Sequence, residues 1–117
     1  MTMTDPMPSS VRETLIRSAN EAAPREICGF ILPDWKIVFM TNVAEGERQF
    51  RVDNQELLDF YVQFPNPLGF FHSHPSGRQS PSDTDHAYAP QGMRYWIVTP
   101  DGVYGWDMDH DSPVVIA

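Results

Sequence analysis

The chain has 117 residues, which suits one domain, and 41% of them are hydrophobic, enough to build a core. Its formal net charge is −8, and Lys36 is its only lysine. We therefore expect no nucleic-acid partner, because binding DNA or RNA normally needs a basic face. We also expect no membrane association, because no apolar run approaches the roughly 18–20 residues that span a bilayer.

A single cysteine, Cys28, excludes an internal disulfide. This fits a reducing compartment, and we expect a cytoplasmic protein. The first ten residues lack the basic and apolar regions of a secretory signal. We predict a single domain over residues 1–117, with residues 1–9 as a disordered lead-in.

The first predicted helix follows this lead-in. Ser10 and Glu13 fit a capping box, with Ser10 as the N-cap. Apolar residues then recur at helical spacing, and Pro24 is expected to end the helix. These residues are Val11, Leu15, Ala19 and Ala22.

A hairpin and a second helix come next. Residues 26–32 and 35–43 have strand character and flank a turn at Pro33-Asp34, which predicts the hairpin. Residues 49–52 suggest a brief strand, and Asp53 resembles a helix start. The apolar face of this second helix is predicted to consist of Leu57, Leu58, Tyr61 and Phe64.

The second half of the chain alternates strands with one short helix. Residues 68–74 predict a central strand, and a helix is expected to start at Ser82 and to end before Pro90. Two strands flank the turn signal at 100–102, and residues 113–117 could add an edge strand. We therefore predict an α/β fold, with one mixed sheet flanked by helices.

Two histidines at the end of the central strand are the main candidates for chemistry. His72 and His74 lie at i and i+2, so on a strand their side chains point to the same face. Asp85, about one helical turn after Ser82, can supply a third ligand. Two imidazoles and a carboxylate suit zinc, and three protein ligands leave the fourth position for water, as in catalytic sites.

Simpler interpretations of the same residues stay open. A His-x-His pair can be a polar strand end, and Ser82 with Asp85 can be an ordinary capping box. His86 is the fallback ligand. Cys28 could be a nucleophile, although a cysteine in an apolar strand usually behaves as a small buried hydrophobe. The zinc motif H-E-x-x-H is absent, and Ser76 stands where a metallo-β-lactamase pattern needs aspartate.

Taken together, the stretch "HSHPSGRQSPSDTD" resembles the signature of the JAMM zinc metalloproteases, also called MPN-plus or JAB. That signature is met at His72, His74, Pro75, Ser82 and Asp85, with every spacing kept. The family also has a glutamate ahead of a short apolar strand, and "PREICGFIL" places it at Glu26. The order of predicted elements over roughly residues 11–108 is similar to that of the family.

The resemblance implies a layered architecture of the JAMM and cytidine-deaminase type and assigns roles to five residues. His72, His74 and Asp85 would hold one zinc ion per chain. Glu26 would hold the bound water, act as general base and deliver the proton to the leaving amine. Ser82 would donate a hydrogen bond to the oxyanion.

The resemblance also implies a substrate class. Family members cleave amide bonds, often isopeptide bonds at ubiquitin-like tails, so we expect a peptide or a ubiquitin-like or sulfur-carrier protein as substrate. The short chain is similar to the compact prokaryotic or phage members. Three alternatives remain: a peptidase associated with phage tail assembly, a non-catalytic scaffold that has kept the fold, and a structural zinc domain with His86 or Cys28 as fourth ligand.

Overall fold

The computed structural model describes residues 6–46 and 50–109 and the backbone of residues 114–115. Within these residues, one mixed sheet is flanked by helices, so the predicted fold class is confirmed. The elements are α1 (Ser9–Ala22), β1 (Cys28–Ile31), β2 (Ile37–Met40), α2 (Asn54–Gln63), β3 (Gly69–Ser73), α3 (Asp83–Tyr88), β4 (Arg94–Val98), β5 (Val103–Asp107) and β6 (Val114–Val115).

The sheet has the strand order β2-β1-β3-β4-β5-β6. Its strand pairs are antiparallel, except that β3 and β4 run parallel. Parallel neighbours need a crossover connection, and α3 lies in the one between β3 and β4. The end of β3 therefore leads directly into the loop and helix that carry Ser82 and Asp85.

Apolar side chains form one core on each face of the sheet. On one face, α1 packs Val11, Leu15 and Ala19 against β3, β4 and β5. On the other face, α2 packs against β1 and β3, where the rings of Phe60 and Phe30 stack with centroids 4.2 Å apart. His72 follows Phe70 by two residues and lies on this second face, because side chains alternate along a strand.

The start of α1 corrects two predictions. The N-cap is Pro8 rather than Ser10, and no side chain caps this helix. The Pro8 carbonyl accepts hydrogen bonds from the amides of Val11 and Arg12, and the fixed φ of proline suits a helix entry. Met7 is only 7% exposed and packs in the α1 core, so the predicted disordered lead-in is wrong for residues 7–9. Residues 1–5 lie outside the described part.

The apolar face of α2 also differs from the prediction. Its start is confirmed, because the Asp53 carboxylate accepts a hydrogen bond from the Glu56 amide at 3.1 Å. Leu58, however, is 61% exposed, and Phe60 is buried in its place. The face toward the sheet runs through positions 57, 60, 61 and 64, which follow the i, i+3, i+4, i+7 rule, and Leu58 lies off that stripe.

The predicted hairpins are confirmed. Cys28 lies opposite Met40 in the first, and Val98 lies opposite Val103 in the second. The chain end does add an edge strand, β6. Of the predicted brief strand at 49–52, the described residues 50–52 form only one isolated bridge, at Val52, and Gln49 lies outside the described residues. None of the described helices has the length and apolar character to cross a membrane.

Candidate metal centre

The sheet ladder fixes the two histidines. His72 is the fourth of five buried residues in β3, and the His74 amide continues the ladder by donating to the Val98 carbonyl at 2.8 Å. Their ring centroids lie 4.7 Å apart. The i, i+2 spacing therefore brings both imidazoles to the same face, as the sequence predicts.

A capping box positions Asp85 beside these rings. The Ser82 hydroxyl oxygen accepts a hydrogen bond from the Asp85 amide at 3.0 Å, and the Ser82 amide donates to Asp85 Oδ2 at 2.9 Å. Both bonds restrain the carboxylate at the first turn of α3. The capping interpretation of Ser82 and Asp85 is thus correct, and the cap itself orients Asp85 toward the end of β3.

One carboxylate oxygen and two imidazole nitrogens converge. Asp85 Oδ2 lies 3.1 Å from His74 Nε2 and 3.4 Å from His72 Nε2. The three ligand atoms lie within 4.8 Å of one another, and all three residues are buried. Among the described residues this cluster contains neither Cys28 nor His86, so the fallback ligands are not brought to it.

The Nδ1 atoms of both rings, which point away from Asp85, contact other oxygen atoms. His74 Nδ1 lies 2.9 Å from the Arg78 carbonyl, to which it can only donate. His72 Nδ1 lies 3.2 Å from Glu26 Oε1. Since Nδ1 of each ring is occupied by these contacts, the Nε2 atoms face Asp85 and would be the ones to bind a metal, an arrangement typical of metal-binding histidines. His72 Nε2 is buried and makes no hydrogen bond.

The electrostatics of the cluster favour a positive charge at its centre. Burial alone would raise the pKa of Asp85, but the adjacent imidazoles of His72 and His74, which favour the charged carboxylate, outweigh burial and hold that pKa well below its usual range. Burial alone would lower the pKa of His72, but Asp85 and Glu26 raise it overall. Either protons or a metal cation can supply the positive charge. Two nitrogens and one carboxylate oxygen fit zinc, with room for a non-protein fourth ligand.

Glu26 lies next to this cluster, just before β1. It is 7% exposed, and its carboxylate contacts His72 as described above. The sequence places it 46 residues from His72, and only the antiparallel pairing of β1 with β3 brings the two together. Glu26 also lines both clefts that open at the centre.

Two open clefts meet at Glu26. One, of about 560 Å³, is lined by Glu26, Ala44, Glu45, Phe50, Arg51, Thr84 and Asp85. The other, of about 440 Å³, is lined by Pro24, Glu26, His74, Pro75, Ser76, Arg78 and Ser82. Ser82 thus lies on the wall of a cleft that also reaches His74. The candidate site is accessible from both sides.

Cys28 is a neighbour of the site but is buried, as its apolar surroundings predict. It lies opposite His72 in the sheet register, is fully buried, and has the Met40 carbonyl 3.9 Å from its sulfur. Burial, reinforced by the charges of Glu56 and Glu26, raises the pKa of the thiol to about 12. At neutral pH a thiol of this kind is not a nucleophile.

Several groups that contact the site histidines could not be predicted from the sequence. Phe50 stacks on the His72 ring with centroids 4.3 Å apart. Tyr95 meets the same ring edge-on at 5.5 Å. The orienting group for His74 is a backbone carbonyl, that of Arg78, so no residue type could reveal it. These contacts depend on long-range packing and loop geometry.

The fold and the site define a layered α/β domain with a His-His-Asp centre at the end of its central strand. A family model described as prokaryotic homologs of the JAB domain matches residues 8–110. The chain therefore belongs to this family, and the resemblance found in the sequence is confirmed.

Two known proteins are similar to the chain. A desampylase from Haloferax volcanii is 30% identical over 128 aligned positions, which cover 93% of this chain and 92% of that protein. The solved structure of a JAB1/MPN domain protein from Archaeoglobus fulgidus has the same fold, with a TM-score of 0.56, 18% identity and 87% of each chain covered.

Proposed function

We propose that this protein is a zinc-dependent metallopeptidase that hydrolyses an amide or isopeptide bond at the extended tail of a ubiquitin-like or sulfur-carrier protein. The observation that carries the proposal is the convergence of His72 Nε2, His74 Nε2 and Asp85 Oδ2 beside the Glu26 carboxylate in an open cleft. The similarity to a desampylase supports this class of activity.

In this proposal His72, His74 and Asp85 hold one zinc ion. Zinc at such a site supplies Lewis-acid chemistry and lowers the pKa of a water from about 15.7 to about 7. Glu26 lines both clefts, and in this proposal its carboxylate accepts the proton of the attacking water and returns it to the leaving amine. The Ser82 hydroxyl accepts from the Asp85 amide and keeps its own proton, which it donates to the developing oxyanion.

The clefts support a substrate with an extended backbone. They open on either side of Glu26, so a chain could run through both and present one amide at the centre. The cluster is buried while its clefts are open, which suits a flexible tail better than a folded surface. We therefore place the cleaved bond in a narrow, extended segment rather than in a globular domain.

Metal analysis combined with a cleavage assay tests the proposal. The substrate is a panel of tails ending in glycine, each joined through an amide to a reporter. The zinc-loaded protein should cleave at least one of them, and His74→Ala should lose both zinc and cleavage. His86→Ala is the matched control: it removes a histidine outside the cluster and should keep one zinc per chain.

Two results would overturn the assignment. Full zinc content in His74→Ala would show that the metal is held elsewhere. Zinc binding without cleavage of any tail would favour a scaffold that has kept the metal site but not the activity.

A further inference from the structure

The peptide group that joins Glu26 to Ile27 is held at both of its polar ends by side chains. The Glu26 carbonyl accepts a hydrogen bond from Asn42 Nδ2 at 2.9 Å. The Ile27 amide donates to the Ser73 hydroxyl oxygen at 2.8 Å. Strand β1 begins only at Cys28, so both ends of this peptide are bound by side chains at the point where regular strand pairing stops.

Ser73 links this peptide to the strand that carries the histidines. It lies between His72 and His74, its side chain points to the opposite face, and it is fully buried. Its amide also donates to the Ile27 carbonyl at 3.0 Å. A single residue therefore fixes the distance between the backbone of Glu26 and the two imidazoles.

Asn42 links the same peptide to the wall of the first cleft. Its Oδ1 accepts hydrogen bonds from the amides of Ala44 at 2.9 Å and Arg51 at 3.1 Å. Ala44 and Arg51 line that cleft. Arg25 strengthens the connection by donating to the carbonyls of Asn42 and Ala44. The cleft wall and the Glu26 backbone therefore both hydrogen-bond to the Asn42 side chain.

We propose that Ser73 and Asn42 are positioning residues, which clamp the Glu26–Ile27 peptide so that the Glu26 carboxylate faces His72 and the clefts. Neither is placed to touch the substrate's reacting bond. The Ser73 hydroxyl matters as an acceptor, because without it the Ile27 amide loses its hydrogen-bond partner in a partly buried position. Asn42 matters as a donor to Glu26 and, separately, as an acceptor for the cleft wall. The kinetic part of this inference rests on the proposed function, and its structural part does not.

The Ser73 test uses two variants of the same shape. Ser73→Thr keeps the hydroxyl, while Ser73→Val replaces it with a methyl group, and both add the same bulk to a buried place. Hydrogen exchange of the Ile27 amide is measured by NMR in both zinc-loaded proteins. We expect slow exchange in Ser73→Thr and at least about tenfold faster exchange in Ser73→Val, since about 1.4 kcal/mol of lost protection corresponds to tenfold. Equal exchange rates of the Ile27 amide in the two variants would contradict the proposed clamp.

The kinetic arm compares the same pair on a cleaved tail. We expect kcat to fall by about 10²-fold in Ser73→Val relative to Ser73→Thr, with KM and zinc content unchanged, because misplacing a catalytic group by about 1 Å costs that much. If the two variants differ in Ile27 amide exchange but have equal kcat, the hydrogen bond exists but Ser73 does not position Glu26 for catalysis. Absence of cleavage by the unsubstituted protein would count against the proposed function, and the exchange arm would still judge the clamp.

Asn42, which is partly exposed, gives an independent arm if both Ser73 variants fold poorly. Asn42→Asp keeps the acceptor for Ala44 and Arg51 but loses the donor to Glu26, whereas Asn42→Ala loses both. We expect lower kcat with little change in KM for Asn42→Asp, and a raised KM in addition for Asn42→Ala. A change in KM alone for both variants would show that Asn42 shapes the cleft but does not position Glu26.

Discussion

Glu26 combines two possible tasks in one carboxylate, and they can be separated. Its carboxylate accepts from His72 Nδ1 at 3.2 Å, a contact that would orient the proposed zinc ligand, and Glu26 lines the clefts, where the proposed reaction needs a base. Glu26→Gln keeps an oxygen that can accept from His72 but removes the basic group. We expect it to retain zinc and to lose cleavage.

Glu26→Ala is the matched comparison, because it removes the acceptor as well. We expect its zinc affinity to fall about 10–100-fold, the usual effect of losing a group that orients a ligand. Zinc affinity is measured by competition with a chromogenic chelator, and kcat on a cleaved tail. Turnover of Glu26→Gln at the wild-type rate would contradict the assignment of Glu26 as the base.

Cys28 gives a prediction about pH and reactivity. Because the folded protein holds the pKa of this thiol at about 12, against a usual value of 9.0, folding keeps its proton on. As pH rises above 9, the unfolded chain ionises first, so the contribution of Cys28 to stability is present below pH 9 and is lost toward pH 12.

Alkylation by iodoacetamide at pH 8 should therefore be slow in the native protein and fast in denaturant. Cys28→Ala should lower the thermal midpoint, because it removes a buried group, yet keep kcat and zinc content. A folded, zinc-loaded Cys28→Ala without turnover would restore the thiol as a nucleophile.

At the scale of single elements, the cap of α3 has one observed role and one proposed role. Ser82 holds the helix start and Asp85 together, and Ser82 also lines a cleft with His74. As a cap alone, Ser82→Ala should cost about 0.5–2 kcal/mol of stability and little catalysis. As an oxyanion donor as well, it should lower kcat by about 10²–10³-fold with zinc still bound.

Ser82→Asp separates these functions, since aspartate caps well but its charge opposes an oxyanion. We expect it to fold at least as well as Ser82→Ala and to be no more active. Thermal midpoint, zinc content and kcat/KM are measured for both. Activity that recovers together with stability in Ser82→Asp would mean that the serine is only a cap.

The local elements of the site could be predicted from the sequence, while the contacts between them could not. The i, i+2 spacing of His72 and His74 and the capping pattern at Ser82 and Asp85 are short-range signals, and both are correct in the structure. The roles of Asn42 and Phe50 depend on packing between distant segments. Leu58 was predicted to lie on the apolar face because it is a leucine next to Leu57. The sequence pattern does not tell which of two adjacent leucines faces the sheet; the rotation of the helix about its axis decides that, and it leaves Leu58 exposed.

At the scale of the whole molecule, the core does not depend on the proposed zinc ion. Apolar clusters lie on both faces of the sheet, and the metal cluster is at one end of β3. Chelation of zinc should therefore lower the thermal midpoint without unfolding the chain at room temperature. A ligand at 100 times its Kd contributes about 2.7 kcal/mol to stability. Far-UV circular dichroism before and after chelation checks this, and collapse of the spectrum would contradict it.

The first cleft adjoins an apolar pocket that several elements build together. This pocket of about 410 Å³ shares Phe50, Arg51, Thr84 and Asp85 with the first cleft. Its inner wall is apolar, with residues of β1, α2 and β3: Phe30, Leu57, Tyr61 and Phe70. Because burying a leucine-sized side chain contributes about 1.5–3 kcal/mol, we expect tails with a bulky apolar residue near the cleaved bond to be preferred over tails with serine there.

Two neighbouring leucines on α2 provide the test of this pocket. Leu57 lines the pocket, whereas Leu58 is 61% exposed and lines neither the pocket nor the clefts. Leu57→Ser should reduce the ratio of kcat/KM between a leucine-containing and a serine-containing tail by about 10-fold or more. Leu58→Ser, the same substitution one residue away, should leave the ratio unchanged. The ratio is measured within each variant, so a general loss of stability cancels, and an equal change in both variants would mean that the pocket does not select the tail.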